Sequence, residues 1–153
     1  MLLTAGAPLS AGAIEFVNGT AAAISGDTIK VGSPGHPMVT LRLWGIEAPR
    51  MGDPDEIGLY ARTALDDLLY RLGPNVMCTV DSFDRTAAVC RAGDTDLGTA
   101  MLLTGWAIAD RTVTLADVPG GDSERTRRAE AYRKAESQAR RERKGRWAGM
   151  PAQ

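Results

Sequence analysis

The two cysteines of this chain, Cys78 and Cys90, stand six residues to either side of Asp84, which lies in a turn at Ser82, Phe83, Asp84 and Arg85. That symmetry constrains the fold more than any other feature. On both sides of the turn, residues 76–91 alternate apolar and polar side chains, the period of a half-buried β-strand. A hairpin centred near residue 84 sets positions 78 and 90 opposite each other. Directly opposed cysteines on antiparallel strands come close enough to bridge, which suits a periplasmic or secreted protein. The other reading is a pair of buried free thiols in a cytoplasmic domain. The spacing fits no zinc motif.

The hairpin sits in a chain that starts with strands. Residues 13–23, 28–31 and 38–45 are rich in Val, Ile, Thr and aromatic residues. Asn18-Gly19, Ser25-Gly26-Asp27 and Ser33-Pro34-Gly35 punctuate them, and the last makes a hairpin turn. His36, the one histidine, lies beside that turn and reads as a surface loop residue. Residues 49–57 carry Gly52, Pro54 and several charges and read as an exposed loop. A helix is expected over 59–72, with Leu65, Leu68, Leu69 and Leu72 as its apolar stripe and Gly73-Pro74 as its stop. After the hairpin, Asp96 is placed to cap a helix over 97–104 whose Leu97, Ala100 and Met101 face inward. Residues 106–108 form a short strand or a buried extended segment, and 112–121 a polar loop. Asp122 or Ser123 caps a last helix packed through Ala129, Tyr132, Ala135 and Ala139. Gly145 ends that helix, and Trp147 packs back on the body.

This order places the chain in the α+β class with a mainly β core. Five short antiparallel strands with an intervening helix fit a five-stranded Greek-key barrel of the OB type with three helices. A length of 153 residues suits one domain, here 13–149, with a flexible N-terminal arm at 1–12 and a C-terminal tail at 150–153. No apolar run approaches the roughly 18 residues of a spanning helix. The net charge is −1, but residues 124–146 hold ten basic and four acidic residues, a local balance of +6. Such a helix can bind phosphates, or can be a solvated face laced with ion pairs such as Arg133 with Glu136.

Three segments, Ser25–Val31, Leu41–Arg50 and Asp81–Ala87, together resemble motifs of the staphylococcal nuclease (thermonuclease-like) family. Ser25-Gly26-Asp27-Thr28-Ile29-Lys30-Val31 is similar to its V-x-D-G-D-T segment. Leu41-Arg42-Leu43-Trp44-Gly45-Ile46-Glu47-Ala48-Pro49-Arg50 is similar to R-L-x-G-I-D-x-P-E. Asp81-Ser82-Phe83-Asp84-Arg85-Thr86-Ala87 is similar to D-x-Y-G-R-x-V. Asp96-Leu97-Gly98, Gly105-Trp106-Ala107 and the stretch from Glu136 and Ala139 to Lys144-Gly145-Arg146-Trp147 extend the likeness over about residues 13–149. It implies the OB barrel and a calcium-dependent phosphodiesterase site that leaves a 3′-phosphate. By the same resemblance Asp27, Glu47 and the backbone carbonyl of Ala48 fall at metal-ligand positions. Arg42 falls at the phosphate-gripping arginine, and Arg85 at the arginine that stabilises the transition state. Guanidinium suits both tasks because its planar fork binds phosphate bidentately.

The departures from the family pattern carry equal weight. Glu47 replaces an aspartate, Ser25 replaces an acid, and Arg50 stands where the family has its general-base glutamate. An arginine stays protonated and cannot act as a base, and losing a placed base costs about 10²–10⁴-fold in rate. Asp53, Asp55 and Glu56, just beyond Arg50, are the carboxylates on hand to replace it. The expectation is a weak or inactive nuclease homologue that retains phosphate, nucleic-acid or protein-partner binding. The alternative is an active calcium-dependent endonuclease for DNA or RNA with a rearranged base. Single-stranded or frayed nucleic acid is the nucleic-acid partner expected. Phe83 is the aromatic placed to stack a base, and the chain is expected to be a monomer.

Overall fold

The structure is a computed structural model and describes residues 14–112 and 123–149. The arm expected at 1–12, the loop positions 113–121, the capping residue Asp122 and the tail at 150–153 lie outside the described residues.

The chain runs β1 (Phe16–Ala23), β2 (Thr28–Gly32), β3 (Val39–Leu43), β4 (Ile46–Glu47), α1 (Ile57–Leu72), β5 (Asn75–Val80), β6 (Ala87–Ala92), β7 (Thr95–Asp96), α2 (Leu97–Thr104), β8 (Ile108–Ala109) and α3 (Ser123–Arg141), with a 3₁₀ turn at Gly145–Trp147. It is an α+β fold with a mainly β core and three helices. One sheet has the order β3-β2-β1-β5-β6-β7, antiparallel at every neighbouring pair. β3 also pairs with β6 in parallel, through Arg42↔Ala87 and Leu43↔Ala88. Strand alternation decides what goes inside. Ile29, Val31, Leu41 and Leu43 are buried, whereas Lys30 and Thr40 between them point out.

The strand expected over 38–45 is two strands. Gly45 adopts a left-handed conformation (φ +77°), which breaks the ladder and sends Ile46-Glu47 to pair with β8. A Cβ at Gly45 would also stand 3.0 Å from the ring of Tyr132, so the turn and the α3 contact share one small residue. The first helix starts at Ile57 and buries Gly58, Ala61, Leu65, Leu68 and Leu69. Leu72, expected in that stripe, is its last residue and is 38% exposed. Asp96 caps α2 as expected, accepting from the Thr99 backbone N–H at 3.3 Å and its hydroxyl at 2.8 Å. The strand expected over 106–108 lies at Ile108–Ala109, and Trp106 stacks on Tyr60 instead, with ring centroids 5.5 Å apart. On α3, Ala129, Tyr132, Ala135 and Ala139 are buried as the spacing requires. Trp147 lies under Arg140 of α3 at 4.6 Å. No helix among the described residues is long and apolar enough to cross a membrane.

Cys78 and Cys90 face each other in the β5–β6 register and form a disulfide inside the core. The bridge closes a loop of sequence separation 12, which restricts the unfolded chain. Replacing both cysteines by alanine should cost about 3 kcal/mol in urea unfolding. An unchanged unfolding midpoint would show that the bridge contributes nothing.

Candidate functional site

Asp27 sits in the turn between β1 and β2. Gly26 lets that turn press inward, since a Cβ there would meet Ala61 and Ala48 at 2.6 and 2.8 Å. The carboxylate is knitted into its surroundings. Its Oδ1 accepts from the Ser25 and Thr28 hydroxyls, both at 2.9 Å, and its Oδ2 accepts from the Ala48 backbone N–H at 2.9 Å. The Asp27 carbonyl accepts from the Leu43 N–H at 2.6 Å, which ties the same turn to the end of β3.

Arg42 projects from β3 on the face opposite Leu41 and Leu43. Its guanidinium donates to Asp84 Oδ2 at 2.8 Å and stands 3.9 Å from Asp110 Oδ2. Asp84 belongs to the turn at 81–86, which its own side chain helps to build. Its Oδ1 accepts from the Thr86 N–H at 3.0 Å and the Thr86 hydroxyl at 2.5 Å. Asp110 follows β8 and repeats the device, accepting from the Thr112 N–H at 2.9 Å and hydroxyl at 2.6 Å. Its backbone N–H donates to the Gly45 carbonyl at 2.8 Å. β8 is held in turn by Glu136, a buried carboxylate of α3 that accepts from the Ala109 N–H at 3.0 Å and pairs with Arg111 at 3.1 Å. The ion pair expected between Arg133 and Glu136 is therefore not formed. Glu136 turns inward because the unpaired N–H of a two-residue strand needs an acceptor.

Asp27, Arg42, Glu47 and Ala48 line one cleft of about 680 Å³, together with Ser25, Arg50 and Asp110. Glu47 and Arg50 are exposed there and form no ion pair with each other or with Asp27. Asp53 and Asp55 line a shallower neighbouring hollow beside Arg50, Glu47 and Arg146, and Glu56 stands at the start of α1. None of the three lines the Asp27 cleft. Among the described residues no group of three or more His, Cys, Asp or Glu side chains has the arrangement to hold a metal ion.

Arg85 is not brought to this cleft. It points to the other side of the 81–86 turn, pairs with Glu15, and lines a second cleft of about 510 Å³ beside α3. Phe83 is 68% exposed on the same turn, 4.8 Å from the Arg125 guanidinium. Asp110 is the acid that sequence reasoning missed. The Asp-x-Thr spacing it shares with Asp84-x-Thr86 is the signal that marks it as a turn-forming carboxylate.

No family model matches this chain, and no curated protein matches it either.

The Thr86 donors, and after them Arg42, hold the Asp84 carboxyl below its usual 3.8. The folded state thus favours the ionised form. Its contribution to stability is full above the unfolded value and is lost as pH falls through the lower folded one. A carbon-detected NMR titration should give Asp84 a midpoint below 3.8. Thr86→Val should raise that midpoint more than Arg42→Ala does. Equal midpoints in all three proteins would refute the assignment of cause.

Proposed function

We propose that this chain is a staphylococcal-nuclease-like domain that holds phosphate groups of nucleic acid and cuts them weakly or not at all. The pairing of each of β1, β2, β3, β5 and β6 with two others of these five supports reading the sheet as a small closed barrel of the OB type, with β3–β6 as the closing pair. The motif order supports the kinship, and the barrel would put the Asp27 turn and β3 on one surface.

The observation that carries the reading is the state of the cleft's polar groups. Arg42 is 41% exposed and available to a phosphate through the part of its fork that Asp84 leaves unused. Its pair with Asp84 is exposed enough to contribute only about 0–1 kcal/mol, so an anion can compete for it. The acids are less available. Asp27 accepts three hydrogen bonds, and Asp110 is engaged by Thr112. Calcium takes six to eight oxygen ligands. A committed Asp27, an isolated Glu47 and the Arg50 cation beside them are a poor donor set for it. Arg50 also removes the base that would activate water. Binding of phosphate, without its hydrolysis, is what these residues do best.

One observation favours the second reading, an active calcium-dependent endonuclease. The Glu47 carboxylate has no hydrogen-bond or ion-pair partner among the described residues and lies in the cleft with Arg42, in reach of the base's part.

Digestion of plasmid DNA and RNA, with calcium and with chelator, separates the two. The parent should show no calcium-dependent cutting. Arg50→Glu, alone or with Ser25→Asp, should gain it, at a rate at least about 10²-fold above the parent's background. Calcium-dependent cutting by the parent that disappears in Glu47→Gln would establish the endonuclease. If the Arg50→Glu variants cut no faster than the parent, the diagnosis of the missing base is wrong.

A further inference from the structure

We propose that the second cleft, between the outer face of the β5–β6 hairpin and the first turns of α3, seats the phosphodiester backbone of a single-stranded nucleic acid that crosses the 81–86 turn from the Arg42 cleft. This rests on the phosphate-binding reading and names the track that such a ligand follows.

Four arginines from three separate places converge on this cleft: Arg85 from the turn, Arg91 from β6, and Arg125 and Arg128 from α3. The acids that line it are Glu15, Asp81 and Glu124, so its formal balance is +1. The Asp27 cleft sets Arg42 and Arg50 against Asp27, Glu47 and Asp110, a balance of −1. An anion is therefore drawn more strongly to the second cleft than to the first.

The four arginines divide by role. Arg125 is a wall. It bonds Asp81 at 2.6 Å, with side chains only 16% and 11% exposed, and lies 5.2 Å from the Trp44 ring centroid and 4.8 Å from that of Phe83. Arg128 belongs to the same wall, 22% exposed and 5.8 Å from the Trp44 ring centroid. Arg85 and Arg91 are the binding groups. Arg91 is exposed and has no carboxylate partner among the described residues. Arg85 pairs with Glu15 where both side chains are open to water, at 69% and 48% exposure. Exposed pairs of this kind hold weakly, whereas a phosphate offers guanidinium a bidentate, doubly charge-assisted partner.

The aromatic placement selects the class of polyanion. Phe83 stands on the 81–86 turn two residues before Arg85, 68% exposed, with the Arg125 guanidinium 4.8 Å from its ring centroid. A base stacked there, with phosphates on either side of the turn, is the pattern of a single-strand binder: cationic groups track the backbone and an aromatic ring takes a base without reading sequence. An acidic peptide would use the arginines and leave Phe83 idle.

The test is fluorescence anisotropy of a labelled single-stranded deoxyoligonucleotide with the full chain, across a salt series. The parent should bind. Arg85→Ala with Arg91→Ala should weaken binding at least about 5-fold at low salt and flatten the salt dependence by about 0.7 for each phosphate no longer neutralised. Phe83→Ala should weaken it without changing the salt slope. Arg71→Ala, an exposed arginine paired with Asp67 on α1, should change nothing. Circular dichroism confirms that each variant is folded. If Arg42→Ala abolishes binding while the Arg85 and Arg91 double variant binds like the parent, the phosphate reading survives and the second cleft is not the track. If polyglutamate displaces the oligonucleotide at equal charge concentration, the cleft takes any polyanion and the proposal is overturned. If the parent itself does not bind at low salt, both readings fail.

Discussion

The rest of the structure depends on β3 being held from both sides. Its residues pair with β2 through Thr28↔Arg42 and Ile29↔Leu41, and with β6 through Arg42↔Ala87 and Leu43↔Ala88. Three backbone bonds make the junction: Arg42 N–H to Thr86 at 2.9 Å, Leu43 N–H to Asp27 at 2.6 Å, and Trp44 N–H to Ala88 at 2.9 Å. One strand thus draws together a turn from the front of the chain and a turn from its middle. Because side chains alternate along it, Leu41 and Leu43 must enter the core, and Arg42 must then stand outward between Asp27 and Asp84. The meeting of these residues is a consequence of the ladder, before any ligand is considered.

The helix α3 is fitted onto that frame by two buried groups. Tyr132 fills the space left by glycines at 45 and 98, with its ring 6.0 Å from Trp44. Burial, with the charge of Asp96 adding to it, pushes the phenol well above its usual range, so it stays a neutral packing group. Glu136 caps the inner edge of β8 and so sets the position of Asp110. The packed side of α3 therefore positions an acid of the first cleft, while its exposed first turns supply arginines to the second. A helix that reads as a run of charge is a tie between the two clefts.

The sequence made much of this legible where a local period or a turn residue decides the outcome. The β5–β6 hairpin, its opposed cysteines, the Asp96 cap and the alanine and tyrosine face of α3 all follow from spacing. What was not legible depends on contacts between distant segments. β4 and β8 are two residues each, too short to show a period, and they exist because Gly45 turns the chain toward β8. The β3–β6 junction rests on two residue pairs. Asp84 and Arg85 are adjacent in one turn, so sequence alone groups them with the same site. Yet Asp84 pairs with Arg42 of the first cleft, whereas Arg85 lines the second. Glu136 looked like a surface partner of Arg133 because helical spacing cannot say which acid has an orphan N–H to satisfy.

Asp27 is where structure and function bear most closely on each other. Its oxygens hold Ser25, Thr28 and Ala48 in one knot, and the proposal of weak or absent cutting rests on that knot leaving little of the carboxylate for a metal. Calorimetric titration of the protein with calcium tests this most directly. The account predicts no saturable heat up to about 1 mM calcium, the weak end of dedicated protein sites. Saturable binding below that concentration, abolished by Asp27→Ala in a protein that remains folded, would contradict it.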